Sequence, residues 1–278
     1  MTRKIADLLK EGLESLKKIS DTPKLDAEIL LSEVLKVKRI NLFLSSDEKV
    51  YESDFTKYVD FLKRRKSHEP VAYIIEKKEF YEDTFFVDSR VLVPRPETEI
   101  LVDEVIKTYR EKDRRVLDIC CGSGCIGLSI KRKINCELIL ADISEQALEV
   151  AKINARNLFD SSSNVEFVKS DLFESVTGKY DLITANPPYL SEKDMEIYCK
   201  NELEYEPKEA LLSGSTGFEI TEKIIEHSSE YLNKNGMLML ELGYKGSKFL
   251  KDTGDLKLEK VVKDLSGIDR VAVFILHR

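Results

Sequence analysis

The stretch "RRVLDICCGSGCIGLSI", residues 114–130, changes its period half-way along. It reads as a strand, then a glycine turn, then the start of a helix. Gly122-Ser123-Gly124-Cys125-Ile126-Gly127 matches G-x-G-x-x-G. Gly122 suits the tight turn, Gly124 a close approach of the backbone to a ligand, and Gly127 close packing of helix on strand. Asp142 ends the next strand, where a carboxylate can accept from both hydroxyls of a ribose. The motif alone is weak. The strand before it, the helix after it and the acid downstream give it weight.

Outward from that stretch the chain alternates. Strands are predicted at Arg115–Ile119, Glu137–Ala141, Val165–Val168, Leu182–Ala185 and Met237–Leu242. A helix is expected from about Glu97 to Tyr109, and others at "SEQALEVAKINARNL" and "GFEITEKIIEHSSEYL". Strands alternating with helices of this length predict an α/β, doubly wound, mostly parallel sheet. Near the C-terminus, "KLEKVVKD" and "RVAVFIL" are separated only by "LSGID". That gap is too short for a helical crossover, so these two strands should run antiparallel.

Upstream the character differs. Residues 1–66 read as a small helical domain. Ile5, Leu8, Leu9, Leu13 and Leu16 form one apolar stripe, and Ala27, Leu30, Leu31, Val34 and Leu35 a second. A third helix is expected from about Tyr51 to Lys66. The cations Lys63-Arg64-Arg65-Lys66 in its last turn are explained by the macrodipole before any nucleic acid is invoked. Residues 67–90 are aromatic and β-branched, which predicts a β-hairpin linker with its arms between about Tyr73 and Val87. The large α/β domain then covers residues 91–278.

The 278 residues are 42% hydrophobic and 34% charged, with formal net charge -7. No apolar run approaches the roughly 20 residues of a membrane helix, and the N-terminus lacks a secretory pattern. A cytoplasmic protein without stable nucleic-acid binding is expected. Five cysteines without paired C-x-x-C spacing, and three histidines, point to reduced thiols and no metal.

The glycine loop and Asp142 suit either a dinucleotide or S-adenosylmethionine. Asp118, four residues before Gly122, favours the second: a carboxylate there suits a cationic ligand and repels a pyrophosphate. Asp118, the loop, Asp142 and the antiparallel tail together resemble the class I S-adenosylmethionine-dependent methyltransferases, with their Rossmann-like seven-stranded sheet. Asp171 is then placed to accept from the adenine amino group, and Leu172 to pack on the purine.

Asn186-Pro187-Pro188-Tyr189 follows the fourth strand, at the sheet edge where ligands bind. The Asn186 side-chain oxygen and the Pro187 carbonyl can accept the two hydrogens of a planar –NH2 group, while Tyr189 offers a flat face. Two aimed acceptors stabilise positive charge as it develops on that nitrogen. The motif is similar to one shared by adenine-N6 DNA methyltransferases and protein-glutamine N5 methyltransferases, and alone does not separate them.

Val93-Pro94-Arg95-Pro96-Glu97-Thr98-Glu99, "EYEPKEALLSGSTGFE" and "LSGIDRVAVF" resemble the bacterial release factor glutamine methyltransferases. The resemblance spans nearly the whole chain, most strongly from Pro70 onward. It implies N5 methylation of the glutamine in a Gly-Gly-Gln tip of class I release factors, with the helical domain helping to dock them. It implies that Asn186, Pro187, Pro188 and Tyr189 hold the amide. Cys120, Cys121, Gly122, Ser123, Gly124, Asp142, Leu172 and Asn186 would then line the cofactor, and Arg95, Pro96, Glu97 and Thr98 shape the cleft wall. His68, Glu76 and Cys120-Cys121 stand where the family often has Gly, Gly and Gly-Thr. The rival readings are a methyltransferase for the glutamine of ribosomal protein L3, an adenine-N6 methyltransferase, a dehydrogenase and a non-catalytic module.

Overall fold

The computed structural model describes residues 3–109, 114–160, 164–244 and 246–278. They divide into two compact units. One takes the chain up to Lys77 together with Lys200–Tyr205, the other Lys78–Cys199 and Glu206–Arg278.

The first unit is helical: α1 (Ile5–Leu16), α2 (Pro23–Leu35), α3 (Arg39–Leu44), α4 (Glu52–Lys66) and α5 (Val71–Ile75). Leu8, Leu16, Leu30, Leu31, Leu42 and Tyr58 fill its core. Gly12 lets α1 approach α4, since a Cβ there would overlap the Tyr58 hydroxyl. The cations ending α4 are structural. Buried Arg65 pairs with Asp26 (2.7 Å) and with Glu202, and Arg64 grips Glu69 with two nitrogens.

Residues 73–75, expected to begin the first arm of a β-hairpin, belong to helix α5 (Val71–Ile75) instead. Pro70 caps the turn, Tyr73 and Ile74 are buried, and Glu76 ends it in the left-handed region at φ 55°. Five apolar residues carry no period of their own, so packing decided their conformation. The hairpin is shorter, Lys78–Phe80 against Asp83–Phe85, and belongs to the second unit.

The second unit is built on seven strands: β1 (Arg114–Ile119), β2 (Cys136–Asp142), β3 (Val165–Lys169), β4 (Tyr180–Ala185), β5 (Leu232–Glu241), β6 (Leu256–Lys263) and β7 (Asp269–Leu276). Their order is 6-7-5-4-1-2-3, and only β7 runs antiparallel to its neighbours. This is the doubly wound sheet with a reversed last strand that the sequence pattern predicted.

Alternation along the strands feeds two cores. Leu138 and Leu140 face α6 (Glu99–Thr108), α7 (Cys125–Lys133) and α8 (Glu145–Leu158), while Ile139 and Ala141 share the other face with α10 (Glu219–Ser228). A short α9 (Glu192–Tyr198) precedes α10, opened by a capping box at Ser191. The β3–β4 crossover holds turns rather than a helix, with Phe173 and Val176 buried beneath the sheet. The strand order reverses between β1 and β4, which opens a crevice at their carboxyl ends.

Candidate active site

A cavity of about 590 Å³ occupies that crevice, within the range of small-molecule sites. Four strand ends supply its floor: Cys120–Ser123 after β1, Asp142 at the end of β2, Ser170–Leu172 after β3, and Asn186 with Pro188 after β4. Arg90, Pro94, Arg95 and Thr98 form one wall, and Pro207, Glu209 and Leu212 another.

The loop after β1 is tightly coiled. Cys120, Gly122 and Gly124 all have positive φ (56°, 53° and 78°). Gly122 borders the cavity, and a Cβ there would meet nothing within 4 Å. A Cβ on Gly124 would press on Leu128, Leu140 and Ala151, and Gly124 does not line the cavity. Close approach to a ligand therefore falls to Gly122 rather than Gly124. Gly127 has the expected role, since a Cβ would lie 2.6 Å from Leu140 Cδ2.

Asp142 Oδ2 accepts from the Gly122 N–H at 2.8 Å, and Oδ1 from the Ser144 N–H at 2.9 Å. Each oxygen keeps a lone pair, which suits a ribose edge. Burial pushes the Asp142 pKa up against these two donors.

Asp118 does not have the cofactor-facing role expected of it. It is fully buried and absent from the cavity lining. Oδ1 accepts from the Thr184 hydroxyl (2.8 Å) and Oδ2 from the Gly127 N–H (3.0 Å). It ties the start of α7 to β4, and burial pushes its pKa up to about 7. The carboxylates facing the cavity are Asp142, Asp171 and Glu209. They supply the negative field that a cationic ligand needs.

Cys120, Cys121 and Cys125 border the cavity as free thiols. Burial, followed by nearby carboxylates, raises the first two thiol pKa values, and burial lifts Cys125 to about 12. Protonated thiols are poor nucleophiles, so these side chains act as small fillers.

The Asn186-Pro187-Pro188-Tyr189 segment is held from several sides. Asn186 Nδ2 donates to Thr98 Oγ1 at 3.4 Å. Pro187 is buried and Pro188 borders the cavity. Tyr189 lies over Gly243, where a Cβ would sit 2.8 Å from its ring, and the Tyr189 carbonyl lies against Gly217. Tyr189 does not line the cavity, and burial pushes its pKa up to about 12, so it stays a neutral phenol.

Arg95 borders the cavity and donates to buried Glu206 at 2.5 Å, which also accepts from the Val93 N–H. Pro96 opens a 3-10 turn leading into α6, so the segment is both helix start and cavity wall. Glu97 is outside the lining; its charge acts on Tyr189, Glu241 and Arg270.

Sequence reasoning missed several supports. Buried Asn154 of α8 exchanges two hydrogen bonds with the Phe86 backbone and donates to the Ser123 carbonyl at 2.9 Å, tying the glycine loop down. An amide inside the apolar stripe of α8 was the available signal. Glu206 lay inside a quoted motif but had no assigned partner. Buried Glu241, at the end of β5, gave no signal.

Two family models match the chain: the PrmC N-terminal domain over residues 7–75 and the methyltransferase small domain over residues 96–216. The release factor glutamine methyltransferase of Leptospira interrogans is 37% identical, covering 97% of both chains. That of Clostridium botulinum is 38% identical, covering 96% of this chain and 97% of its own. This chain belongs to the release factor glutamine methyltransferase family. It is an S-adenosylmethionine-dependent methyltransferase. The ribosomal protein L11 methylase of Lactobacillus delbrueckii superimposes with a TM-score of 0.51 at 18% identity, covering 72% of this chain and 91% of its own, and shares the fold.

The cavity fits that cofactor. Asp142 presents two oxygens for a ribose, Leu172 an apolar face for a purine, and the acidic lining suits a sulfonium and an ammonium group.

Proposed function

We propose that this methyltransferase modifies the side-chain amide nitrogen of a glutamine, the one in the Gly-Gly-Gln tip of class I release factors. The observation that carries the reading is that Asn186 and Pro188 border the same cavity as the glycine loop and Asp142. An acceptor nitrogen held by Asn186 therefore shares one space with the cofactor, whose sulfonium carries the methyl group. The chain positions the amide for in-line attack. The Asn186 side-chain oxygen and the Pro187 carbonyl take its two hydrogens and stabilise the charge that grows on nitrogen. Tyr189, a neutral phenol, offers a face rather than a base.

The helical unit is proposed to dock the release factor. Supporting this, α3 exposes Ile40, Phe43 and Leu44 side by side on its surface. No helix among the described residues is long and apolar enough to cross a membrane, and a cytoplasmic enzyme acting on the translation machinery is proposed.

The test is a competition. Enzyme and methyl-labelled cofactor are mixed with a release factor, ribosomal protein L3 and adenine-containing DNA, and the label is located by mass spectrometry and nuclease digestion. Label on the release factor glutamine is expected. Label on L3 or on adenine would overturn the substrate. Asn186→Ala is expected to lower transfer by about 100-fold or more, while the cofactor Kd changes far less.

A further inference from the structure

The cavity wall between Phe86 and Arg95 is neither helix nor strand. It carries Arg90, Val91, Leu92, Pro94 and Arg95 into the lining. No ladder holds this backbone, so side chains must. Buried Glu206 holds the far end, through the Val93 N–H and Arg95. Asn154, 0% exposed on α8, holds the near end. Its Oδ1 accepts from the Phe86 N–H at 2.6 Å, and its Nδ2 donates to the Phe86 carbonyl at 3.0 Å. One amide thus gives Phe86 the pair of hydrogen bonds that a neighbouring strand would give.

The same Nδ2 donates to the Ser123 carbonyl at 2.9 Å. An asparagine amide has two N–H hydrogens, and both are spent. Turned over, the amide would set its oxygen against two carbonyls and its NH2 against an N–H, so one orientation fits. Asn154 therefore joins α8, the wall at Phe86 and the cavity floor at Ser123 in a single polar junction. The floor needs such a hold. Cys120, Gly122 and Gly124 all sit at positive φ, and at Cys120, which carries a Cβ, that conformation is strained. Asn154 itself does not line the cavity.

We propose that Asn154 is a positioning residue for the cofactor. It fixes the glycine loop against the wall, so that cofactor affinity depends on a side chain outside the cavity. The free enzyme then presents the loop already shaped, and binding does not have to order it. By linkage, the cofactor tightens the junction by the same factor that the junction tightens the cofactor. The inference concerns the cofactor alone and is independent of which amine receives the methyl group.

Two variants test it. Asn154→Asp keeps the shape and the acceptor and removes both donors. Its cofactor Kd, read by calorimetry, is expected to rise about tenfold or more, the effect of leaving a buried carbonyl unmet, with one site per molecule retained. At saturating cofactor, kcat and the release factor KM are expected to stay within about threefold of the parent. Asn154→Leu removes all three hydrogen bonds and is expected to raise the Kd further. A merely structural role would lower the melting temperature and the number of molecules able to bind, and would leave the Kd of those molecules unchanged. An unchanged Kd in Asn154→Asp would overturn the proposal, and so would a loss confined to kcat.

A second measurement uses the parent chain. The Phe86 N–H reports on the junction, and Phe86 does not line the cavity. Its hydrogen exchange, followed by NMR, is expected to proceed by local opening, ahead of Leu117 in the centre of the sheet. Saturating cofactor is expected to slow it by about tenfold or more. A Phe86 exchange rate indifferent to cofactor would overturn the proposal even if neither variant folds.

Discussion

His68, Glu76 and Cys120 all adopt left-handed backbone, at φ 68°, 55° and 56°. The resemblance read from the sequence expects glycine at each of these positions, and the backbone shape fits that expectation: here ordinary side chains bear its cost. That cost is about 1–2 kcal/mol per residue, partly offset because glycine loosens the unfolded chain. Glu76→Gly is therefore expected to stabilise the protein by about 0.5–1 kcal/mol, read as a higher urea midpoint at unchanged slope. A lower midpoint would refute the argument. A second prediction concerns acid. The folded pKa of Asp118 and of Glu241 is raised to about 7. A raised folded pKa means the native state holds its proton more tightly than the unfolded chain. The resulting stability is full below the unfolded value near 4 and is lost as pH rises through 7. Unfolding free energy is expected to fall between pH 5 and pH 7 by up to about 1.4 kcal/mol per pH unit for each group, then to flatten. Asp118→Asn should reduce that slope; an unchanged slope would remove Asp118 as its source.

At the scale of elements, the parallel sheet was legible because two periods alternate along the chain, and the reversal of β7 because five residues cannot carry a crossover. Three features were not legible. Residues 71–75 have strand-like composition without alternation, and packing made them helix. Helix α3 is six residues long, too short to show a stripe. The β3–β4 link turns back without a helix, satisfied by burial of Phe173 and Val176. At the site, the gathering of the glycine loop, Asp142, Asn186 and Pro188 around one cavity could be anticipated because each belongs to a local motif at a strand end. Glu206, Asn154 and Glu241 could not be, because they act on residues far away in sequence; Glu206 meets Arg95 across 111 positions. The Asp118 role failed for a related reason. Its position beside the loop was clear, but Thr184 and Gly127 claim both its oxygens. Gly243→Ala tests how closely elements constrain the site. A Cβ 2.8 Å from the Tyr189 ring must displace that ring. A fall in kcat of about tenfold or more is expected, with the cofactor Kd nearly unchanged, since Gly243 does not line the cavity. Equal kcat would show that the ring can move without consequence.

At the scale of the whole molecule, docking and chemistry are assigned to different units, and the assignment can be checked by separating KM from kcat. Leu44→Glu on exposed α3 is expected to raise KM for an intact release factor by about tenfold, the scale of an interface side chain worth more than 1 kcal/mol. It should leave kcat alone, and leave activity on a short Gly-Gly-Gln peptide unchanged. An unaltered KM would remove α3 from the docking surface. Point variants suit this question better than truncation, because the helical unit is completed by Lys200–Tyr205. There Glu202 reaches the buried Arg65, and the Tyr205 hydroxyl donates to the Ser67 carbonyl at 2.6 Å. That interrupted path also dictates a calendar for the nascent chain. The ribosome releases the five helices first, yet the segment that closes them follows only after about 120 further residues, roughly 6–25 s of synthesis. Until then Arg65 lacks one of its two carboxylates, and the helical unit waits, incomplete, while four strands of the sheet are being made.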